Sequence, residues 1–338
     1  MPTFRTAALS AGLLAGAGVA AQAEPTKVNA MNFIEAQTAM QFDTYQKQAG
    51  GVNKVHNNRQ PVPVDNQPTI RMNRDTLYSM IVVDISESAT ITLPDAGSRY
   101  RSIMVVNEDN YINAVYLDGG AHELTTEKFG SDHVWIVIRT LVDSTSADDI
   151  KAVHALQDGI KVEAKSAKPF LATDYDQASY KATLDALLDL GKGVPNAEGW
   201  FGSKEETTPI GHLIGTAVGF GGLPRKHAFY LNVNPDLPVG EYQLTANDVP
   251  VDAFWSVSLY NDKGYFQKNP QDAYNFNSIN ATKNDDGSIT IHFGGCGDGR
   301  VNCLPIMKGW NYGVRLYEPK QAVLDGSYVF PSVEAIKK

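Results

Sequence analysis

The chain has 338 residues, of which 43% are hydrophobic and 20% charged, and its formal net charge is -9. That length accommodates two domains of ordinary size. The excess of acid leaves no basic face for nucleic acid and none for an anionic membrane surface.

The first residues read as a targeting signal. Arg5 supplies a short positive region, Ala7 to Ala21 an apolar core, and Ala21-Gln22-Ala23 an A-x-A cleavage site before Glu24. Residues 1–23 are therefore expected to be a signal peptide and the mature protein to be periplasmic or secreted; the alternative is a structural N-terminal helix. The apolar core is shorter than the ~20 residues of a spanning helix. No later run reaches that length, so no membrane span is expected.

Asn29 to Ala49 reads as a helix, with Phe33, Ala36, Met40 and Tyr45 near one stripe and Gly50-Gly51 as its stop. Asn53 to Thr69 is a long loop punctuated by Pro61, Pro63 and Pro68, of the kind that often carries function. Asn73-Arg74-Asp75 then leads into the apolar run Met80-Ile81-Val82-Val83. Strands are expected at 79–85, 89–93, 100–106, 110–117 and 133–142, where Val, Ile, Thr and Tyr are dense and Gly, Pro, Asp and Asn intervene. Their short spacing favours a sandwich or barrel over a parallel sheet. Ser146 caps a helix running to about Gln157.

Residues 165–225 read as helical. One helix has the apolar face Tyr180, Leu184, Leu187 and Leu188 and ends at Gly191; a second has Thr208 as cap and Pro209 in its first turn. The second is nearly apolar and rich in small residues, which suits packing between two sheets. Strands resume at 227–233, 241–245, 253–260, 288–293 and 312–317, with Asp286-Gly287 turning a hairpin. Cys296 and Cys303 are expected to form a disulfide in an oxidising compartment. A ring of eight residues constrains the unfolded chain by about 2.5 kcal/mol in the loop-entropy model. Two free thiols are the alternative, and Cys-x6-Cys is not a usual zinc pair.

Certain residues in combination resemble known families. In the first half these are Asn32-Phe33, Asn73 to Tyr78, Leu93-Pro94-Asp95, Val106 to Asp109, Arg139-Thr140 and Leu156-Gln157-Asp158. They resemble the bacterial domain-of-unknown-function family 1254. In the second half Ala217 to Pro224, Ala228-Phe229-Tyr230, Pro250 to Ser256, Asn269-Pro270 and Trp310-Asn311-Tyr312 resemble its usual C-terminal partner, family 1214. The resemblance implies two β-rich domains, the second jelly-roll-like, in exported proteins, and no particular reaction. The expected fold is mainly β: an N-terminal β domain over 24–165, a helical linker over 166–225, and a C-terminal jelly-roll-like domain over 226–338.

Asp75 and Glu108 are the candidate catalytic pair, since two carboxylates are the minimum for glycoside hydrolysis. Asn73, Arg74, Asn107, Tyr111 and Arg139 are the candidate substrate-binding residues. The structural alternative has Asp75 accepting N–H bonds in a turn and Arg74 paired with Glu108 inside the sandwich. Seven histidines make neither His-x-His nor His-Glu-x-x-His, so no metal ligands are assigned. No Gly-x-Ser-x-Gly elbow occurs, and Gly219 to Pro224 lacks the Lys-Ser/Thr of a phosphate loop. Trp255, Tyr260, Tyr265, Phe266, Trp310 and Tyr312 are either core or a sugar-stacking platform. Two functions remain: a hydrolase of a polar glycan or ester, or a non-catalytic envelope protein that binds a saccharide or another protein. The sequence assigns no cofactor, and a homo-oligomer is compatible with it.

Overall fold

The computed structural model describes residues 24–67, 70–192, 194 and 197–336. The expected signal peptide, 1–23, lies outside the described residues. The first half contains helix α1 (Phe33–Ala49) and strands β1 (His56–Asn57), β2 (Thr76–Asp84), β3 (Ala89–Leu93), β4 (Arg101–Asn107), β5 (Ile112–Tyr116) and β6 (Gly120–Leu124). It continues with α2 (Thr126–Phe129), β7 (His133–Leu141), α3 (Ala147–Asp158) and β8 (Lys161–Ala164). Helices α4 (Gln177–Leu190) and α5 (Pro209–Gly219) follow. The second half holds β9 (Ala228–Val233), β10 (Tyr242–Ala246), β11 (Trp255–Tyr260), β12 (Asn275–Asn277) and β13 (Ile289–Phe293). It ends with β14 (Cys303–Leu304), β15 (Asn311–Tyr317), α6 (Gln321–Leu324) and β16 (Glu334–Ala335).

The strands form four sheets, so the protein is mostly β and sandwich-like. In the first half a five-stranded sheet, ordered β1-β2-β7-β4-β5, faces a three-stranded sheet, β6-β3-β8. Strands β4 and β7 are buried at every residue, and β2 at every residue but Tyr78. Side chains alternate across a strand, so β2, β4 and β7 each supply two cores. Ile81, Val83, Ile103, Val105, Ile136 and Ile138 meet Ala89, Ile91 and Leu93 of the small sheet. The opposite face offers Met80, Val82, Met104, Trp135 and Val137 to Phe42 and Tyr45 of α1 and to Phe254 and Tyr317 of the second half.

The second half packs two four-stranded sheets, β14-β13-β10-β16 on β12-β11-β15-β9. Strand β13 alternates buried and half-buried residues, the signature of a sheet with one covered face. Strands β11 and β15 are instead buried throughout. Their Trp255, Val257, Leu259, Tyr312, Val314 and Leu316 fill the sandwich core. Their other face carries Ser256, Ser258, Arg315 and Tyr317, polar side chains hidden only because the first half lies over them.

Helix α5 does not lie between two sheets as its small residues suggested. It packs on α1 and α4. Its glycines admit the 199–201 segment: a Cβ on Gly211 would sit 2.4 Å from the Gly199 carbonyl oxygen, and one on Gly215 2.8 Å from Trp200 Cβ. Cys296 and Cys303 are joined as a disulfide.

Candidate functional site

The polar face of β11 and β15 meets the entrance of β2. Register aligns Asn277, Ser256, Arg315 and Tyr230 as one rung across four strands. Directly opposed residues in antiparallel strands point to the same side, so the whole rung faces the first half. Asp75 reaches into it. Ser256 Oγ donates to Asp75 Oδ2 at 2.6 Å, while Asn275 and Asn277 Nδ2 donate to Oδ1 at 2.8 and 3.3 Å. Asn73 sets the approach: its Oδ1 accepts the Asp75 N–H at 2.8 Å in an Asx turn, and its Nδ2 donates to the Tyr317 hydroxyl at 2.9 Å. Asp75 is 0% exposed, and both its oxygens are engaged by the second half.

Arg315 lies in the same layer. Its guanidinium donates to Ser258 Oγ at 3.0 Å, the Tyr260 hydroxyl at 2.9 Å, and the Arg71 and Met72 carbonyls at 2.8 and 3.2 Å. Burial works against its charge, and Tyr260, Tyr317 and Asp75 hold its pKa above the usual arginine value. Arg315 is thus hydrogen-bonded through both terminal nitrogens and attracted by Asp75.

Arg139 is different. It sits on β7 in a rung between Tyr78 and Ser102, on the face that looks at the second half. It donates to the Gly221 carbonyl and lies 3.9 Å from Met104 Sδ, with its guanidinium carbon 5.4 Å from the Tyr78 ring centre. Gly221 reaches it in a left-handed conformation, φ +80°, close against Trp135, where a Cβ would stand 3.1 Å from the indole. Around the guanidinium stand Tyr45, Tyr78, Tyr100, Tyr230 and Tyr317. Burial raises the pKa of Tyr100, Tyr230 and Tyr317, and pushes that of Tyr45 up to about 12, so these phenols are neutral at physiological pH. Burial works against the Arg139 charge, and the facing tyrosines raise its pKa above the ordinary value only as they themselves ionise. Among the described residues no carboxylate lies within 4 Å of it, and Nε makes no hydrogen bond. The side chain keeps 6% of its surface open to water, and Tyr45, Tyr78, Tyr100 and Tyr230 are only half-buried.

The remaining candidates lie elsewhere. Arg74 turns away from Asp75, donates to the Val62 carbonyl, and lies over Tyr274 and Phe266 at 5.0 and 6.0 Å. It does not pair with Glu108. Glu108 follows the far end of β4, where Asn107 is opposite Val134, whereas Asp75 precedes Thr76, opposite Leu141. The intervening length of β7 separates them by roughly 25 Å at the usual rise per residue. Asp75 and Glu108 therefore cannot divide acid–base work on one bond, which needs carboxyl groups ~5–10 Å apart. Glu108 instead accepts from the His133 N–H at 2.8 Å and lies 3.3 Å from Nδ1. Asn107 Oδ1 accepts the N–H groups of Asp109 and Tyr111 in a tight turn, and Tyr111 stacks on His212 at 4.4 Å. Of the seven candidates the fold thus gathers Asn73, Asp75 and Arg139 into one layer and sends Glu108, Asn107 and Tyr111 to the opposite end of the sheet.

Trp255, Trp310 and Tyr312 are core residues, and Tyr260 and Phe266 pack with Tyr274 and Met72, so none of these five offers a stacking platform. Among the described residues no group of three His, Cys, Asp or Glu side chains is placed to hold a metal ion. No described helix is long and apolar enough to cross a membrane. Sequence reasoning missed Ser256, Asn275, Asn277, Tyr230 and Arg315. The available signal was an arginine inside the otherwise apolar strand 312–317, which has to be buried with partners.

These features define a mostly β protein of paired sheets whose halves meet across a buried polar layer. Residues 52–129 match the family model described as "Protein of unknown function (DUF1254)", and residues 236–321 match "Protein of unknown function (DUF1214)". The two matches lie in that order along the chain. The VPA0106 protein from Vibrio parahaemolyticus is similar over 91% of this chain and 100% of its own, with 17% identity and a TM-score of 0.65. An uncharacterised protein from Burkholderia cenocepacia is similar over 91% of this chain and 88% of its own, with 13% identity and a TM-score of 0.51. These likenesses establish a shared fold. No curated protein matches the chain.

Proposed function

We propose that the protein binds a small anionic molecule, a carboxylate or phosphate, in the layer between its two halves, with Arg139 as the anchor. One observation carries this reading. Among the described residues no carboxylate lies within 4 Å of the buried Arg139 guanidinium, and Asp75, the carboxylate beside Arg315, is already fully engaged. A buried charge without a partner is costly, and an arginine cannot discharge itself at neutral pH. An anion seated against Arg139 completes the balance, with the hydroxyls of Tyr78, Tyr100 and Tyr230 as further donors. Asn73 fixes the Tyr317 hydroxyl beside it.

The test is thermal unfolding with a panel of small carboxylates and inorganic phosphate. Ligand at 100 times its Kd stabilises by about 2.7 kcal/mol. The wild type should respond to at least one anion and Arg139→Met to none. A wild type indifferent to every anion, together with an Arg139→Met variant that simply loses stability, would assign Arg139 to structure alone.

The protein is further proposed to be exported. The charged start, apolar core and A-x-A sequence before Glu24 support this, as does the Cys296–Cys303 disulfide, which suits an oxidising compartment. Mass determination of the protein recovered from its native cell should give a chain beginning at Glu24; an intact Met1 would contradict it. A hydrolase built on Asp75 and Glu108 does not survive their separation. If the protein hydrolyses anything, other residues do so.

A further inference from the structure

An open groove of about 390 Å3 runs between edge strand β5, the 203–206 segment and the entrance to β9. Its lining includes Asn113, Ser203, Glu206, Lys226 and His227, with Ile112 as part of an apolar wall. His227 Nδ1 lies 3.1 and 3.2 Å from the two carboxylate oxygens of Glu318. Backbone bonds hold the pair in register: the Glu318 N–H donates to the His227 carbonyl at 3.0 Å, and the Glu318 carbonyl accepts from Asp252 at 2.8 Å. Glu318 sits in the left-handed region, φ 50°, rare for a residue with a long side chain. Strain of this kind collects where a side chain must be aimed. A carboxylate on Nδ1 fixes the hydrogen there and leaves the Nε2 lone pair free. Among the described residues nothing bonds Nε2.

We infer that the His227–Glu318 pair is a general-base site and that the groove over it hydrolyses small neutral esters. The chemistry of the neighbours selects this class. Glycoside cleavage needs a protonated acid, but Glu206 is ion-paired with Lys226 and held below the usual carboxylate range despite partial burial, and Glu318 is committed to the imidazole. A serine nucleophile needs a hydroxyl on the base, but Ser203 Oγ donates to Glu205 at 2.8 Å. Water is the remaining nucleophile. Nε2 takes its proton as its oxygen attacks the acyl carbon, and the carbonyl pair moves onto oxygen. On collapse the C–O bond to the alcohol breaks and Nε2 returns the proton to the departing alkoxide, giving acid plus alcohol from ester plus water. His227 is the catalytic residue and Glu318 a positioning residue. The mutually paired Lys226 and Glu206 leave the groove nearly neutral, which suits an uncharged substrate.

The test uses the full chain with p-nitrophenyl acetate. Hydrolysis should exceed that given by an equal concentration of free imidazole by 100-fold or more, and His227→Gln should lose at least 100-fold in kcat without a fall in Tm. Glu318→Gln should lower kcat about 10-fold with KM unchanged, a split that a merely structural residue would not give. The wild-type rate should climb with pH along a single limb that His227→Gln lacks; Glu318, Glu206 and Lys226 are the charged groups facing the imidazole. His56→Gln, which removes an imidazole elsewhere, should keep the rate. Hydrolysis no faster than free imidazole, or a folded His227→Gln at wild-type rate, overturns the inference. Neither outcome bears on the anion site at Arg139.

Discussion

Replacing Asp75 by Asn separates a clamp from a catalyst. The substitution keeps shape and leaves one carbonyl oxygen for Asn275 and Asn277, while the new amide can donate to Ser256 once that hydroxyl turns round. What disappears is charge. Three hydrogen bonds to a carboxylate at 2.6, 2.8 and 3.3 Å become bonds between neutral groups. Bonds to charged groups contribute about 1.5–3 kcal/mol and neutral ones about 1, so the loss is about 1 kcal/mol per bond. Arg315 also loses an attracting charge. The hydrogen-bond terms alone sum to about 3 kcal/mol, or a fall in Tm of about 5–10 °C for a chain of this size. Scanning calorimetry of the wild type, Asp75→Asn, Ser256→Ala and the double variant is the assay, with about 1 kcal/mol of coupling expected between the two positions. An Asp75→Asn protein melting within about 1 °C of the wild type would refute the clamp. It would return Asp75 to the list of residues kept for chemistry.

Two further outcomes follow from other parts of the fold. Replacing both Cys296 and Cys303 by Ser should lower stability by about 2.5 kcal/mol, the loop-closure value for a ring of this size, as measured by the midpoint of guanidinium unfolding. Asp84 accepts from Ser86 Oγ at 2.7 Å and Lys168 N at 2.6 Å. Although burial pushes its carboxyl up, hydrogen bonds from Ser166, Ser86 and Lys168 hold it at about 2. A depressed carboxylate contributes stability above its unfolded pKa and loses it as pH falls through the folded value. Wild type should therefore exceed Asp84→Asn by about 2 kcal/mol above pH ~4, with the gap closing toward pH ~2; a gap independent of pH would refute the assignment.

Local pattern carried much of the architecture. Strand β3 and helices α1, α3, α4 and α5 fall within a few residues of where periodicity, caps and glycine stops put them. Thr208 and Ser146 are N-caps, accepting from Gly211 and Asp149. Strands β6 (Gly-Ala-His-Glu-Leu) and β8 (Lys-Val-Glu-Ala) were not legible, because almost nothing in them favours extended chain. They are strands because β3 offers two edges to pair with. The site was half legible for the same reason. The run Asn73-Arg74-Asp75 marks a polar entrance to a buried strand, but whether it faces solvent or a second sheet is decided by Ser256, Asn275 and Asn277, some 180–200 positions away. Grouping Glu108 with Asp75 assumed that two strand ends are the same end. Register along β7 places them at opposite ones.

The anion site is tested most directly by anomalous diffraction from crystals soaked in bromide. The account predicts a bromide peak within about 3.5 Å of the Arg139 guanidinium, among the hydroxyls of Tyr78, Tyr100 and Tyr230. An Arg139 guanidinium touched only by protein atoms, in crystals that bind bromide elsewhere, would contradict it.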